Sequence, residues 1–368
     1  MKHLSKLFAL VLGATLLTAC GGSPSNDPSE LPEFDRKEFL RHYAEEIIQP
    51  AVGELSVQAA ALKIAVDALV GQKSPEQLAR AREAWDQTYR AWVRVSMLNF
   101  GPGGTEGRRR TLSEEVAVFP VSTRGIENKI AAAEFVFDDA KRNTRGFLAV
   151  EYLLFNPAAS ETLLEPFDAN RATYLQKTVE HLVGQIERLR GAWEGEYAAA
   201  FVANDGTDAQ SSTTQLFNEM VRNFEDLRDK KIGIPLGLIA GQSTPQPDLA
   251  ESPHSGKSLD YLLLNYATVV DLWRGKKPNG EDGPGWEEYL RATEGGAALM
   301  DTIDRQFAAI DAIVARIPED RNLRELAQAR EPSLVELHGA SQTLTRYLKG
   351  DVSSLLGLAI TFSTGDGD

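Results

Sequence analysis

Seven segments of this chain repeat apolar residues at helical spacing, and almost nothing between them reads as strand. Such a pattern can bury its apolar faces only by packing helix against helix, so the fold class it dictates is all-α. The first segment, 39–70, is rich in Ala, Glu and Leu, is interrupted by Pro50 and Gly53, and stops at Gly71. Ser74-Pro75-Glu76-Gln77 predicts a helix start, with Ser74 as N-cap, Pro75 in the first turn and Gln77 closing a capping box. Leu78, Ala81, Trp85, Tyr89, Trp92 and Val93 then share one face. Asp168 predicts the cap of another long helix bearing Leu175, Val179, Leu182, Val183, Ile186 and Leu189. Segments 214–227, 258–272, 286–317 and 322–348 complete the set, the last broken or kinked at Pro332. Strand signals are sparse, and the best candidate, Val116 to Val121, is short. These aromatic and aliphatic stripes read first as core.

The punctuation divides the chain. An Asp/Gly/Ser/Thr-rich stretch at 204–213 predicts a boundary between two packed helical bundles, 34–205 and 212–368. A second irregular stretch, 241–257, holds Pro245, Pro247 and Pro253 and exceeds the usual connection length, so it is either a functional loop or disordered. Gly101 to Gly107 and Lys276 to Gly285 read as Gly/Pro-rich loops.

Residues 1–19 stand apart from the fold. Lys2 and Lys6 precede a short apolar run, Leu7 to Leu17, which is the pattern of a secretory signal and too short for a spanning helix. Leu17-Thr18-Ala19-Cys20 resembles the bacterial lipobox, which would make Cys20, the single cysteine, the lipidation site and the mature N-terminus. Residues 20–33 follow as a Gly/Ser/Pro-rich flexible tether. Several acyl chains at about 0.8 kcal/mol per buried methylene give stable anchoring. The expected location is therefore the bacterial cell envelope, and Gly21 rather than Asp after the cysteine points to the outer membrane, facing the periplasm.

Charge excludes one class of partner. With 39 Lys+Arg against 53 Asp+Glu the chain carries −14, and −16 once Lys2 and Lys6 are removed, so nucleic acid is not the expected ligand. One cysteine leaves no disulfide framework and no thiolate zinc cluster. The four histidines beyond the signal, His42, His181, His254 and His338, form no i,i+4 pair, and no HExxH, GxSxG, P-loop or dinucleotide fingerprint occurs. His181 and His338 read as solvated or satisfied helix residues.

The informative stretch runs from Thr144 through Arg145-Gly146-Phe147-Leu148-Ala149-Val150-Glu151 to Phe155. It resembles the imelysin-like family of insulin-cleaving membrane proteases and iron-regulated envelope proteins, which carries GxHxxE in a helix. Other segments resemble the family in the same order. They are Asn99-Phe100-Gly101-Pro102, Phe119-Pro120, Lys231-Ile232-Gly233-Ile234-Pro235-Leu236, Glu251-Ser252-Pro253-His254-Ser255, and the ending from Leu356 to Asp368.

The resemblance implies two helical bundles with the motif near their interface, a link to iron uptake and metal binding, and a peptidase activity named for some members only. His and Glu three residues apart share one helix face and can converge on one ion. This chain keeps Gly146 and Glu151 but has Leu148 in place of the His, with Ser96 and Ala117 where the family often has acids. Three weakened positions imply a lost or remodelled metal site. Glu151 is then either a remaining ligand for iron or zinc, or a polar anchor in a cleft; alternatively it is an exposed helix carboxylate or the partner of Arg124 or Arg145. Arg124, Gly146, Ser252 and Ser255 are the candidate ligand cleft, with His254 in the same loop. Arg108-Arg109-Arg110 reads as a solvated loop more than an anion site, and Asp366 and Asp368 fall short of a calcium loop. The expected function is a non-catalytic binding lipoprotein for iron or metal acquisition, acting with other envelope iron-uptake proteins. The alternatives are a metallopeptidase and a protein-interaction module.

Overall fold

The computed structural model describes residues 34–106, 110–137, 141–158, 164 and 168–362. The signal segment, Cys20, the 20–33 tether, Arg108, Arg109, Asp366 and Asp368 lie outside the described residues. Helices α1 (Arg36–Arg41) and α2 (Gln49–Gly71) run together through a π turn, His42–Ile48. Pro50 has no N–H for the regular ladder, and the widened turn ends where it enters. Helix α3 (Pro75–Val95) starts at the predicted cap, with Ser74 Oγ accepting from the Gln77 N–H at 3.3 Å, the one half of the expected capping box that is formed, and all six of its predicted face residues are buried.

Helices α4 (Leu112–Val116), α5 (Thr123–Ala131) and α6 (Phe147–Phe155) follow. Helices α7 (Ala169–Glu194) and α8 (Glu196–Ala203) close the first half. Asp168 caps α7 by accepting from the Arg171 N–H at 2.8 Å. The core of this half is α2 packed against both α3 and α7.

The second half holds α9 (Ser212–Asp226), a π turn at Leu227–Gly233, α10 (Ile234–Leu236) and α11 (Ser258–Trp273). It continues with α12 (Trp286–Arg291), α13 (Gly296–Val314), α14 (Leu323–Gln328), α15 (Pro332–Arg346), a π turn at Tyr347–Val352 and α16 (Ser353–Leu356). Pro332 opens α15, so the expected break is a true helix start.

Two expectations are corrected. Val116 to Val121 is not a strand: it is the last residue of α4 followed by an irregular run. The segment 286–317 is two helices, because Gly295 takes φ +80° and a Cβ on Gly296 would lie 1.7 Å from the Leu290 carbonyl oxygen. The 241–257 stretch is ordered and carries a short 3₁₀ turn at Pro247–Leu249.

The N-terminal helix leans on the second half. Phe39 packs edge-on against Trp286 at 4.9 Å, Phe34 stacks on Tyr289 at 4.5 Å, and His42 Nε2 meets the Gly275 carbonyl at 2.6 Å. Among the described residues no helix is long and apolar enough to cross a membrane.

Candidate functional site

Helix α6 is apolar on every side, and Glu151 is the one charged residue in it. Gly146 starts it at φ +81°, and a Cβ there would fall 2.2 Å from the Val116 carbonyl oxygen. The glycine of the motif is thus required by a backbone approach, which fixes α6 against the end of α4.

Glu151 is completely buried. Its Oε1 accepts three hydrogen bonds from one loop: Ser252 Oγ at 2.8 Å, the His254 N–H at 2.9 Å and the Ser255 N–H at 2.8 Å. Its Oε2 has no hydrogen-bond partner. Burial pushes the carboxyl up to about 7, against the downward pull of the Ser252, Ser255 and His254 donors. Ser252 holds φ +55°, the left-handed region, at the point where the loop turns onto the carboxylate. His254 lies over Tyr152 at 5.6 Å, with its imidazole pulled down by burial.

The structure therefore brings Glu151, Ser252 and Ser255 together and leaves Arg124 out, exposed on α5. Neither arginine partners Glu151. Arg145 is engaged with Glu115 at 2.7 Å, both buried, and Arg142 adds a second contact to Glu115 at 3.1 Å. Glu151 is a clamp for the 252–255 loop, neither an exposed helix carboxylate nor half of an arginine pair.

Beside this loop lies a cavity of about 680 Å³, with Glu251, the residue before Ser252, on its wall. Asn99, Phe119, Pro120, Lys231, Ile234 and Glu251 all line it, and they come from four of the resembling segments. Ser96 and Ala117, the two departures from acidic residues, line the same cavity. Glu251 pairs with Lys231 at 2.9 Å on the cavity wall, and the next residue, Ser252, reaches back to Glu151. One loop thus joins the cavity wall to the buried carboxylate.

The residues present do not fit a metal centre of the kind the resemblance implies. Leu148 has no lone pair and is 1 % exposed in the core. Ser96 Oγ is already engaged, donating to the Val93 carbonyl and accepting from Asn223 Nδ2, each at 2.9 Å, and Ala117 brings no donor. Oε1 of Glu151 is taken by the loop. Among the described residues no three His, Cys, Asp or Glu side chains gather where one ion could be held. His181 packs edge-on against Phe137 at 5.7 Å, and burial lowers it to about 4, so it is neutral at physiological pH. His338 sits 3.9 Å from Asp229.

Sequence reasoning missed the second-half wall. Glu219, Asn223, Asp226 and Lys230 all line the cavity, spaced at i, i+4, i+7 and i+11 along α9 and its π turn. The spacing was visible, but a polar ridge on an amphipathic helix is the ordinary mark of a solvated face. Asp86 was also missed: burial would raise it, but Lys257 Nζ at 2.7 Å and Tyr261 OH at 2.6 Å outweigh that and hold it low, tying α3 to α11 behind the clamp.

Fold and site together define a helical protein in which motif segments far apart in sequence meet at one cavity beside a loop clamped by a buried carboxylate. The chain belongs to the imelysin family: the profile described as imelysin, peptidase M75, matches residues 48–346. It is similar to the protein named iron-regulated protein A of Synechococcus elongatus, at 24 % identity over 313 residues, covering 83 % of this chain and 80 % of that one. Two solved structures share the fold. One is a putative iron-regulated protein A precursor from Parabacteroides distasonis, with TM-score 0.73 at 20 % identity, covering 89 % of this chain and 97 % of that one. The other is an imelysin-like protein from Psychrobacter arcticum, with TM-score 0.71 at 20 % identity, covering 90 % and 99 %.

Proposed function

We propose that this chain is a non-catalytic envelope lipoprotein that holds a small organic molecule or a metal chelate, rather than a bare ion, in the service of iron acquisition. One observation carries the reading. Four of the segments that resemble the family converge on a cavity of about 680 Å³, whose wall holds Ser96 and Ala117 in place of acids, while Leu148 replaces the motif His in the core. That volume falls within the range of pockets for small organic ligands. The link to iron rests on the relative named iron-regulated protein A. The lipid anchor at Cys20 and the outer-membrane address rest on the lipobox-like text at 17–20, and the division into bundles 34–205 and 212–368 rests on the polar stretch between them. A metallopeptidase would need a held ion, an activated water and a base. The residues around Glu151 supply a loop clamp instead.

Equilibrium binding of iron and of zinc to the full-length chain, beside Glu151→Ala, tests this reading. The expected result is no stoichiometric binding of either ion to either protein, and no metal-dependent cleavage of an unfolded substrate. Stoichiometric binding that Glu151→Ala weakens would overturn it. Labelled palmitate should enter the wild-type chain in its bacterial host and fail to enter Cys20→Ser.

A further inference from the structure

We infer that the cavity takes a small organic cation, an ammonium or amidinium group on an apolar body, with its charge seated on Glu219. This rests on the reading of the cavity as the cargo site and names the class of cargo. Four acids and three bases line the cavity, and most of them are already satisfied. Lys230 is paired with Asp226 at 2.8 Å and Lys231 with Glu251 at 2.9 Å. Glu114 is spent on the cap of α4, where its carboxylate accepts from the Thr111 N–H at 3.2 Å.

Glu219 is different. Its side chain is only 12 % exposed, and its Oε2 is buried without a hydrogen-bond partner. Arg222, the cation paired with it among the described residues, stands 3.7 Å from the other oxygen, Oε1. The Arg222 guanidinium is drawn the other way, over the Phe362 ring at 5.0 Å. Burial raises the Glu219 carboxyl above its ordinary value; Arg222 opposes this, Asp226 adds to it, and a hydrogen bond from Asn99 pulls it back. A buried carboxylate oxygen without a donor costs free energy, and a charged N–H donor relieves it best, because charge-assisted bonds are about twice as strong as neutral ones.

The rest of the cavity suits the remainder of such a ligand. Trp92, Val118, Phe119, Pro120, Ile234 and Leu249 give it an apolar wall, while Asn99 and Asn223 line it with amides. With Glu114, Asp226 and Glu251 already engaged, amides and hydroxyls beside Glu219 are a poor donor set for a transition-metal ion but a good one for an N–H-bearing head group. The chain's formal charge of −14 also enriches cations near its surface.

Calorimetric titration of the full-length chain with benzylammonium, benzyl alcohol and benzoate tests the inference. Benzylammonium should bind at one site about tenfold or more tightly than benzyl alcohol, the margin expected of one charged hydrogen bond. Glu219→Gln should erase that preference while melting close to wild type, since the ion pair it removes is long, at 3.7 Å. Equal binding of the alcohol, tighter binding of benzoate, or a preference that survives Glu219→Gln would overturn the cationic class. If the alcohol or benzoate binds and Ala117→Trp abolishes that binding, the cavity still stands as the cargo site. If no probe binds at millimolar concentration, both the cationic class and the cargo site fall.

Discussion

Two residues in one helix show how far a motif can be reinterpreted by its surroundings. Gly146 admits the close approach of the Val116 carbonyl, with φ at +81°. Gly146→Ala must relieve both a left-handed backbone and a 2.2 Å overlap with main chain, so it should cost roughly 2–4 kcal/mol of stability, measurable as a lower urea midpoint. Glu151 gives a pH signature. Its folded value of about 7 stands above the ordinary 4.5, so the native state keeps a proton that the unfolded chain has released. Stability from this group is therefore lost as pH rises from about 4.5 to about 7, and is flat above. At 1.36 kcal/mol per unit the difference is roughly 3 kcal/mol. Glu151→Gln, which keeps an acceptor for the loop but cannot ionise, should gain on wild type by that order between pH 4.5 and pH 8. Parallel stability curves for the two proteins would show that the buried carboxyl does not titrate in this window.

At the scale of elements, the periodic text was enough for the long helices and not for the short ones. Helices α2, α3, α7, α9 and α11 fall where apolar spacing and cap residues put them, because each buries a continuous stripe against neighbours. Helix α4 has five residues, too few to stand alone, and the strand suggested at Val116 to Val121 overlaps only its last residue. It is held by an ion pair from outside itself. Glu115 accepts from Arg145 at 2.7 Å, Arg142 at 3.1 Å and the Arg110 N–H at 3.1 Å, which pins α4 to the turn before α6. Burial would raise Glu115, and these donors outweigh it and keep it ionised. Removing one partner of a buried pair costs about 3–5 kcal/mol. Glu115→Gln should therefore lower the denaturation midpoint and speed hydrogen exchange across 110–120, the segment that supplies Phe119 and Pro120 to the cavity. Unchanged exchange there would mean the wall is held by packing alone.

Across the whole molecule, segments separated by up to about 150 residues in sequence end within one cavity, and the second half supplies its charged wall. The sequence by itself determined the helical class, the ends of the long helices, most of the core, and the family, since each of these follows from local spacing or from short runs of text. It also marked Gly146, Glu151, Ser252 and Ser255 as residues that matter. What joins them was decided only in three dimensions: that Glu151 clamps a loop 101 to 104 residues away, that Arg145 belongs to Glu115, and that Glu219 faces a cavity rather than solvent. The physical reason is the same for all three. A carboxylate's role is set by which donors and how much water surround it, and helix periodicity fixes the direction of a side chain on its own helix but not the neighbour brought opposite it by packing.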